Sequence, residues 1–150
     1  MRLSTQEEYG LRCLLAIVRL EGDGTGEPVT IEKIAAAEGV GYEHAAKMLR
    51  LLRRAGILDS VRGANGGYLL ARQPSEISLW DALVALDPPL VGQGFCEAYA
   101  GHLDACVHAG PGCNLRALWT HVGNVLEGGL KSMSLEDLRS GRVPGARETA

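Results

Sequence analysis

Residues Tyr42–Arg72, YEHAAKMLRLLRRAGILDSVRGANGGYLLAR, decide the fold. Over Tyr42–Arg54 the apolar residues Ala45, Met48, Leu49 and Leu52 recur at helical spacing, while Glu43, His44, Lys47, Arg50 and Arg54 fall mainly on other faces. The spacing predicts an amphipathic helix with a basic outer side. Gly56 stops it, Ile57–Arg62 and Tyr68–Ala71 read as two short strands, and Gly63–Gly67 makes the hairpin tip between them.

Immediately upstream, Thr30 caps a short helix that runs through Ile34 and Ala37 and ends at Gly39, a residue that tolerates left-handed geometry. Two helices joined by the turn Gly39-Val40-Gly41, the second of them basic, have the layout of a helix-turn-helix. A hairpin directly behind it makes a winged helix. The N-terminal half of the basic helix, Tyr42, Glu43, His44 and Lys47, is placed to read base edges, and Arg50, Arg54 and Arg62 to hold phosphates. Asn65 and Arg62 sit where a wing tip reaches an adjacent groove. A charge run taken alone is more often a solvated face; the wing that follows is what shifts the reading.

Further out, Ser4 and Glu7 form a capping box for a first helix over Thr5–Leu20, with Leu11, Leu14, Leu15 and Val18 on its apolar side and Gly22, Gly24 and Gly26 ending it. Ser78 and Asp81 open a fourth helix through Leu79, Ala82, Leu83 and Leu86, stopped by Pro88-Pro89. A glycine-rich stretch leads to Cys113. Leu115, Leu118, Trp119, Val122 and Leu126 then make an apolar stripe too well patterned to face water, so it needs a partner surface. Ser134 caps a last short helix through Leu138, and Gly141–Ala150 reads as a loose tail. The division expected is 1–87 for the DNA-binding domain, 88–113 for a cysteine-rich loop, 114–140 for a long helix with the short terminal one, and 141–150 for the tail. The fold class is mainly α.

The composition agrees. Hydrophobic residues are 46% and charged residues 22% of the 150, an ordinary globular mixture. The net charge of −3 argues against nucleic acid only on average: residues 29–72 hold seven Lys/Arg against four acids, and residues 73–112 hold five acids and no Lys/Arg. Apolar runs are too short to cross a bilayer and the N-terminus lacks an apolar signal core, so a cytoplasmic location is expected. No phosphate loop, no CxxC pair and no nucleophile beside a base points to an enzyme.

Of four cysteines, Cys13 lies beside the apolar positions of the first helix and reads as a buried structural thiol. Cys96, Cys106 and Cys113 are spaced C-x9-C-x6-C in the glycine-containing stretch. In a cytoplasmic chain they read as thiols or metal ligands before disulfides. With His102 and His108 the same stretch offers a donor set for zinc; a thiol redox switch and simple packing are the remaining alternatives. Trp80 and Trp119 read as core and interface aromatics, and His121 as a surface histidine.

The start MRLSTQEEYGLRCLL, the segment RLLRRAGILDSVRGANGGYLLAR, the following ISLWDALVALD and the cysteines before LRALW together resemble the Rrf-type regulators, the family of IscR- and NsrR-like proteins. The resemblance covers about residues 1 to 140, with the RGANGGYLLAR wing its most specific part. It implies a winged-helix homodimer in which the helix over about Asn114–Leu126 packs on its counterpart, the partner surface that the stripe demands. It also implies an iron-sulfur cluster, [2Fe-2S] or [4Fe-4S], on Cys96, Cys106 and Cys113. Arg116 stands where IscR-like members carry a histidine, and the resemblance to members that use a first-helix carboxylate of the opposite subunit makes Glu8 the fourth ligand. The function implied is a redox, nitric oxide or iron-sulfur sensor acting on a palindromic operator; the alternative is a metal-free or zinc-bound regulator.

Overall fold

The structure is a computed structural model and describes residues 4–21, 26–87, 96, 102–108, 110 and 112–144. Helix α1 (Thr5–Leu20) opens with the expected capping box: the Ser4 hydroxyl accepts from the Glu7 N–H at 3.1 Å, and the Glu7 carboxylate accepts from the Ser4 N–H at 2.6 Å. Its buried face is centred on Gly10, Cys13, Leu14, Ala16 and Ile17. Of the stripe read from sequence only Leu14 is fully buried; Leu11, Leu15 and Val18 flank it, half-buried, because neighbours pack on both sides of α1.

Helix α2 (Ile31–Glu38) is capped by Thr30 and ends at Gly39, whose φ of 63° is the left-handed conformation. It runs through Ile34 and Ala37 as expected, burying Ile34 and Ala35 and leaving Ala37 exposed. Helix α3 (Tyr42–Arg54) buries Ala45, Met48, Leu49 and Leu52, the four positions expected. Strands β1 (Leu58–Val61) and β2 (Gly67–Leu70) pair antiparallel in the register Leu58↔Leu70 to Val61↔Gly67. β1 lacks the outermost residue at each end of the expected Ile57–Arg62, and β2 begins and ends one residue before the expected Tyr68–Ala71.

A feature with no sequence signal ties this hairpin down. Val29, just before α2, exchanges both backbone hydrogen bonds with Tyr68, each 2.8 Å. A Cβ added at Gly67 would lie 2.4 Å from the Val29 carbonyl oxygen, so only glycine permits this approach. After β2 a single 3₁₀ turn (Pro74–Glu76) leads into helix α4 (Leu79–Leu86), capped by Ser78 through the Asp81 N–H at 3.0 Å. Leu86 presses on Gly10, and the Gln6 amide donates to the Leu86 carbonyl, which locks α4 against α1. Pro88 and Pro89, the expected stop, lie outside the described residues, as do Gly22 and Gly24.

Helix α5 (Asn114–Lys131) is the longest, at 18 residues, and none of them is buried. Leu115, Leu118, Trp119 and Val125 are all more than two-fifths exposed. Helix α6 (Leu135–Arg139) then returns to the core. Leu79 N–H donates to the Met133 carbonyl and Leu135 N–H to the Ile77 carbonyl, each at 2.9 Å, and the Leu135 side chain is fully buried in the same core as Leu14, Leu49 and Ile77. One core therefore spans α1 to α4, the foot of the wing and α6. No described helix is long and apolar enough to cross a membrane.

Candidate functional site

Two surfaces carry the chemistry expected from the sequence. The first is basic. Because Ala45, Met48, Leu49 and Leu52 turn inward, Tyr42, Glu43, His44, Lys47, Arg50, Arg53 and Arg54 are all turned out and exposed. Among the described residues no carboxylate pairs with Lys47, Arg50, Arg53 or Arg54; the ion pairs lie elsewhere, as in Arg19–Glu38 and Arg139–Glu136. Cations left without internal partners suit phosphate. The His44 ring meets Tyr9 edge-on, centroids 6.2 Å apart, so α1 fixes its direction at the start of α3. Sequence reading had no means to find Tyr9, which is brought there only by the α1–α3 packing.

The wing supplies the rest of this surface. Gly63 adopts φ 112° and its carbonyl accepts from the Gly66 N–H at 2.9 Å, closing a tight turn that leaves Arg62 and Asn65 exposed. A Cβ at Gly66 would fall 2.4 Å from the Val61 carbonyl oxygen, so this turn also requires glycine. Between wing and α2 runs an open groove of about 390 Å³, bordered by Thr30, Arg62 and Gly66. All eight residues read as DNA-contacting are thus solvent-facing, six on α3 and two on the wing tip.

The second surface is the cysteine site at the start of α5. The four cysteines are free thiols, in two environments. Cys13 is fully buried, and desolvation, with the Glu38 charge second, pushes its thiol up to about 11. It is the inert structural thiol expected. Cys96, Cys106 and Cys113 are instead partly exposed. The Cys113 sulfur caps α5 by accepting from the Arg116 N–H at 3.4 Å, and the Arg116 guanidinium donates to the Cys96 sulfur at 3.9 Å. Two sulfurs separated by seventeen positions therefore converge on one residue.

Beside Cys113 opens a concavity of about 370 Å³, bordered by Val107, His108 and Leu115. Among the described residues Cys106 makes no contact with Arg116 like those of the other two, and no group of three or more His, Cys, Asp or Glu side chains gathers at ligand distance. Glu8 lies in the first turn of α1, its carboxylate paired with Arg12 at 2.9 Å. His102 and His108 are exposed. The donor chemistry fits an iron-sulfur cluster, since three partly exposed soft sulfurs are free of disulfides and of the deep burial that silences Cys13.

A helix-turn-helix with a basic, outward-facing second helix and a glycine-closed wing behind it defines a winged-helix DNA-binding transcriptional regulator. The family model described as Rrf2, iron-dependent transcriptional regulator, matches residues 3–141. The chain belongs to the Rrf2 family. It is 31% identical over 138 residues to protein rrf2 of Nitratidesulfovibrio vulgaris, covering 92% of this chain and 87% of that one. To the HTH-type transcriptional regulator IscR of Photorhabdus laumondii it is 30% identical, covering 92% and 79%. Among solved structures it is similar to CymR, the global cysteine regulator of B. subtilis, with a TM-score of 0.66 at 26% identity over 94% of this chain and 98% of the other.

Proposed function

We propose that this regulator acts in the cytoplasm as a homodimer that binds a palindromic operator and senses redox state, nitric oxide or iron-sulfur supply through a cluster held by Cys96, Cys106 and Cys113. The observation that carries it is the convergence of Cys96 and Cys113 on Arg116 at the head of a helix whose apolar face is bare. In this reading residues 1–87 bind DNA, 88–113 form the cluster loop, 114–140 supply the dimer contact, and 141–150 are a tail. The bare face of α5 is covered by the same face of a second copy, which brings Glu8 of the partner subunit to the cysteine loop as fourth ligand.

The cluster supplies a centre whose charge and ligation change with oxidant, nitric oxide or iron. The chain does the rest. The Cys113 sulfur sits at the positive end of the α5 dipole, which favours negative charge there. A hard carboxylate such as Glu8 is the weakest donor in a thiolate set, which leaves one position open to displacement. Arg12 orients that carboxylate by its ion pair. From Cys113 the rigid α5 leads to α6, whose Leu135 is part of the DNA-binding core, so a shift at the loop reaches the recognition helix through packed elements. A coupling of about 1–3 kcal/mol between cluster state and DNA affinity suffices for regulation.

Anaerobic purification with visible absorption and iron, zinc and sulfide analysis tests this, repeated on Cys106→Ala and Glu8→Ala. Brown protein with iron and sulfide, lost in Cys106→Ala and made labile in Glu8→Ala, is the expected result; colourless protein without iron after reconstitution overturns it. A second reading is a metal-free thiol or zinc-bound regulator, and the failure of three donors to gather among the described residues favours its metal-free form. It predicts zinc or nothing in the same assay, and DNA affinity indifferent to iron.

A further inference from the structure

We propose that Arg116 is a positioning residue that clamps two of the three cluster thiolates and raises the midpoint potential of the cluster they hold, an inference that rests on the cluster reading above. Arg116 contacts both sulfurs by different groups. Its backbone N–H points to Cys113 at 3.4 Å, and its guanidinium Nη1 to Cys96 at 3.9 Å. Among the described residues no carboxylate competes for that guanidinium, although acids lie within reach of other surface arginines such as Arg12 and Arg142.

The chemistry of arginine makes the assignment specific. A guanidinium stays protonated at any working pH and has no lone pair to offer iron, so at position 116 it contributes charge and N–H donors and never a bond to metal. Thiolate sulfurs accept such donors, and N–H···S bonds together with nearby positive charge are the levers by which protein tunes an iron-sulfur centre. One-electron reduction adds a negative charge to the cluster. A fixed cation beside Cys96 and the N-terminal N–H groups of α5 beside Cys113 stabilise that added charge, so the reduced form is favoured and the potential rises. The same clamp brings Cys96 to the α5 terminus before any metal arrives, which lowers the ordering cost of assembling the site.

The test is a redox titration of the reconstituted full-length protein, wild type against Arg116→Leu and Arg116→Lys, followed by visible absorption. Arg116→Leu is expected to shift the midpoint to more negative potential at unchanged iron and sulfide content, with Arg116→Lys, which keeps the charge and loses the fork, in between. Pulsed electron paramagnetic resonance on reduced protein carrying ¹⁵N-arginine is expected to show a nitrogen coupling that Arg116→Leu abolishes. Equal midpoints in wild type and Arg116→Leu, with no such coupling, overturn the role of Arg116 and leave the cluster reading standing. If Arg116→Leu loses its cluster, the Arg116→Lys midpoint and the wild-type nitrogen coupling decide in its place. Wild-type protein that never holds iron and sulfide overturns the cluster reading and this inference together.

Discussion

Helices α3 and α5 are both amphipathic, yet they meet opposite fates. In α3 the stripe of Ala45, Met48, Leu49 and Leu52 is sealed in the core, at most 2% exposed, and the polar face turns outward. In α5 Leu115, Leu118 and Trp119 of the stripe stay at 42–52% exposure, and Val122 and Leu126 are half-buried. The same sequence pattern thus marks a finished interior in one place and an unfinished one in the other. Helix α5 packs against α4, yet Leu115, Leu118 and Trp119 stay in solvent; an apolar stripe left so exposed is a surface addressed to another molecule, and it is continuous with the segment that carries Cys113.

The strongest way to break this comparison is to truncate one residue from each stripe. Leu49→Ala is expected to cost about 2–5 kcal/mol of folding stability, read by urea unfolding. Leu118→Ala is expected to leave monomer stability nearly unchanged and to weaken self-association, read by analytical ultracentrifugation. Equal unfolding losses with unaltered association would refute the assignment of α5 to a second copy.

Next in size is the junction of wing and core. Gly67→Ala forces a Cβ against the Val29 carbonyl and is expected to cost about 1–3 kcal/mol, whereas Ala64→Gly at the exposed tip should cost a few tenths at most. A thermal melt of both variants separates them. Smaller again, Lys47→Ala and Arg54→Ala should keep the fold and weaken operator binding. If Arg54 holds a phosphate, the slope of log affinity against log salt drops by about one unit and sequence preference is retained; if Lys47 reads a base, preference at one position relaxes.

The smallest effect concerns Glu21 at the foot of the wing, where its carboxylate accepts from the Leu70 N–H at 2.9 Å. Partial burial raises its pKa, with the Leu70 hydrogen bond acting the other way. Its proton is held more tightly in the folded chain than in the unfolded one, so its contribution to stability is present at low pH and lost as pH rises through the folded value. Glu21→Gln is therefore expected to melt slightly above wild type at neutral pH, the two curves merging as pH falls through the carboxylate range. A gap that widens on acidification contradicts this.

How far the sequence could be read depended on the kind of information each region carries. The bounds of α3 and its four buried residues were legible because three and a half turns give a 3.6-residue period room to repeat. The wing was legible from its glycines, because conformation there is dictated by residue type. The return of Leu135 to the core, the Val29–Tyr68 bridge and the contact of Tyr9 with His44 were not legible, since each depends on elements distant in sequence. The cysteine site was half legible: three thiols before an amphipathic helix are visible, but C-x9-C-x6-C says nothing of which sulfur meets which group, and Arg116 stands out only as the residue in place of a histidine, not as a partner of two sulfurs.

The backbone bridge between Val29 and Tyr68 has a consequence for operators. Because the wing is stitched to the residue that leads into α2, wing and helix-turn-helix move as a single block, and neither is free to adjust its reach alone. In the proposed dimer, two such blocks joined through α5 make a caliper with fixed jaws and one adjustable screw. Such an instrument is expected to tolerate a changed base within a half-site better than one base pair inserted between half-sites, which turns the second half-site by about a tenth of a helical turn.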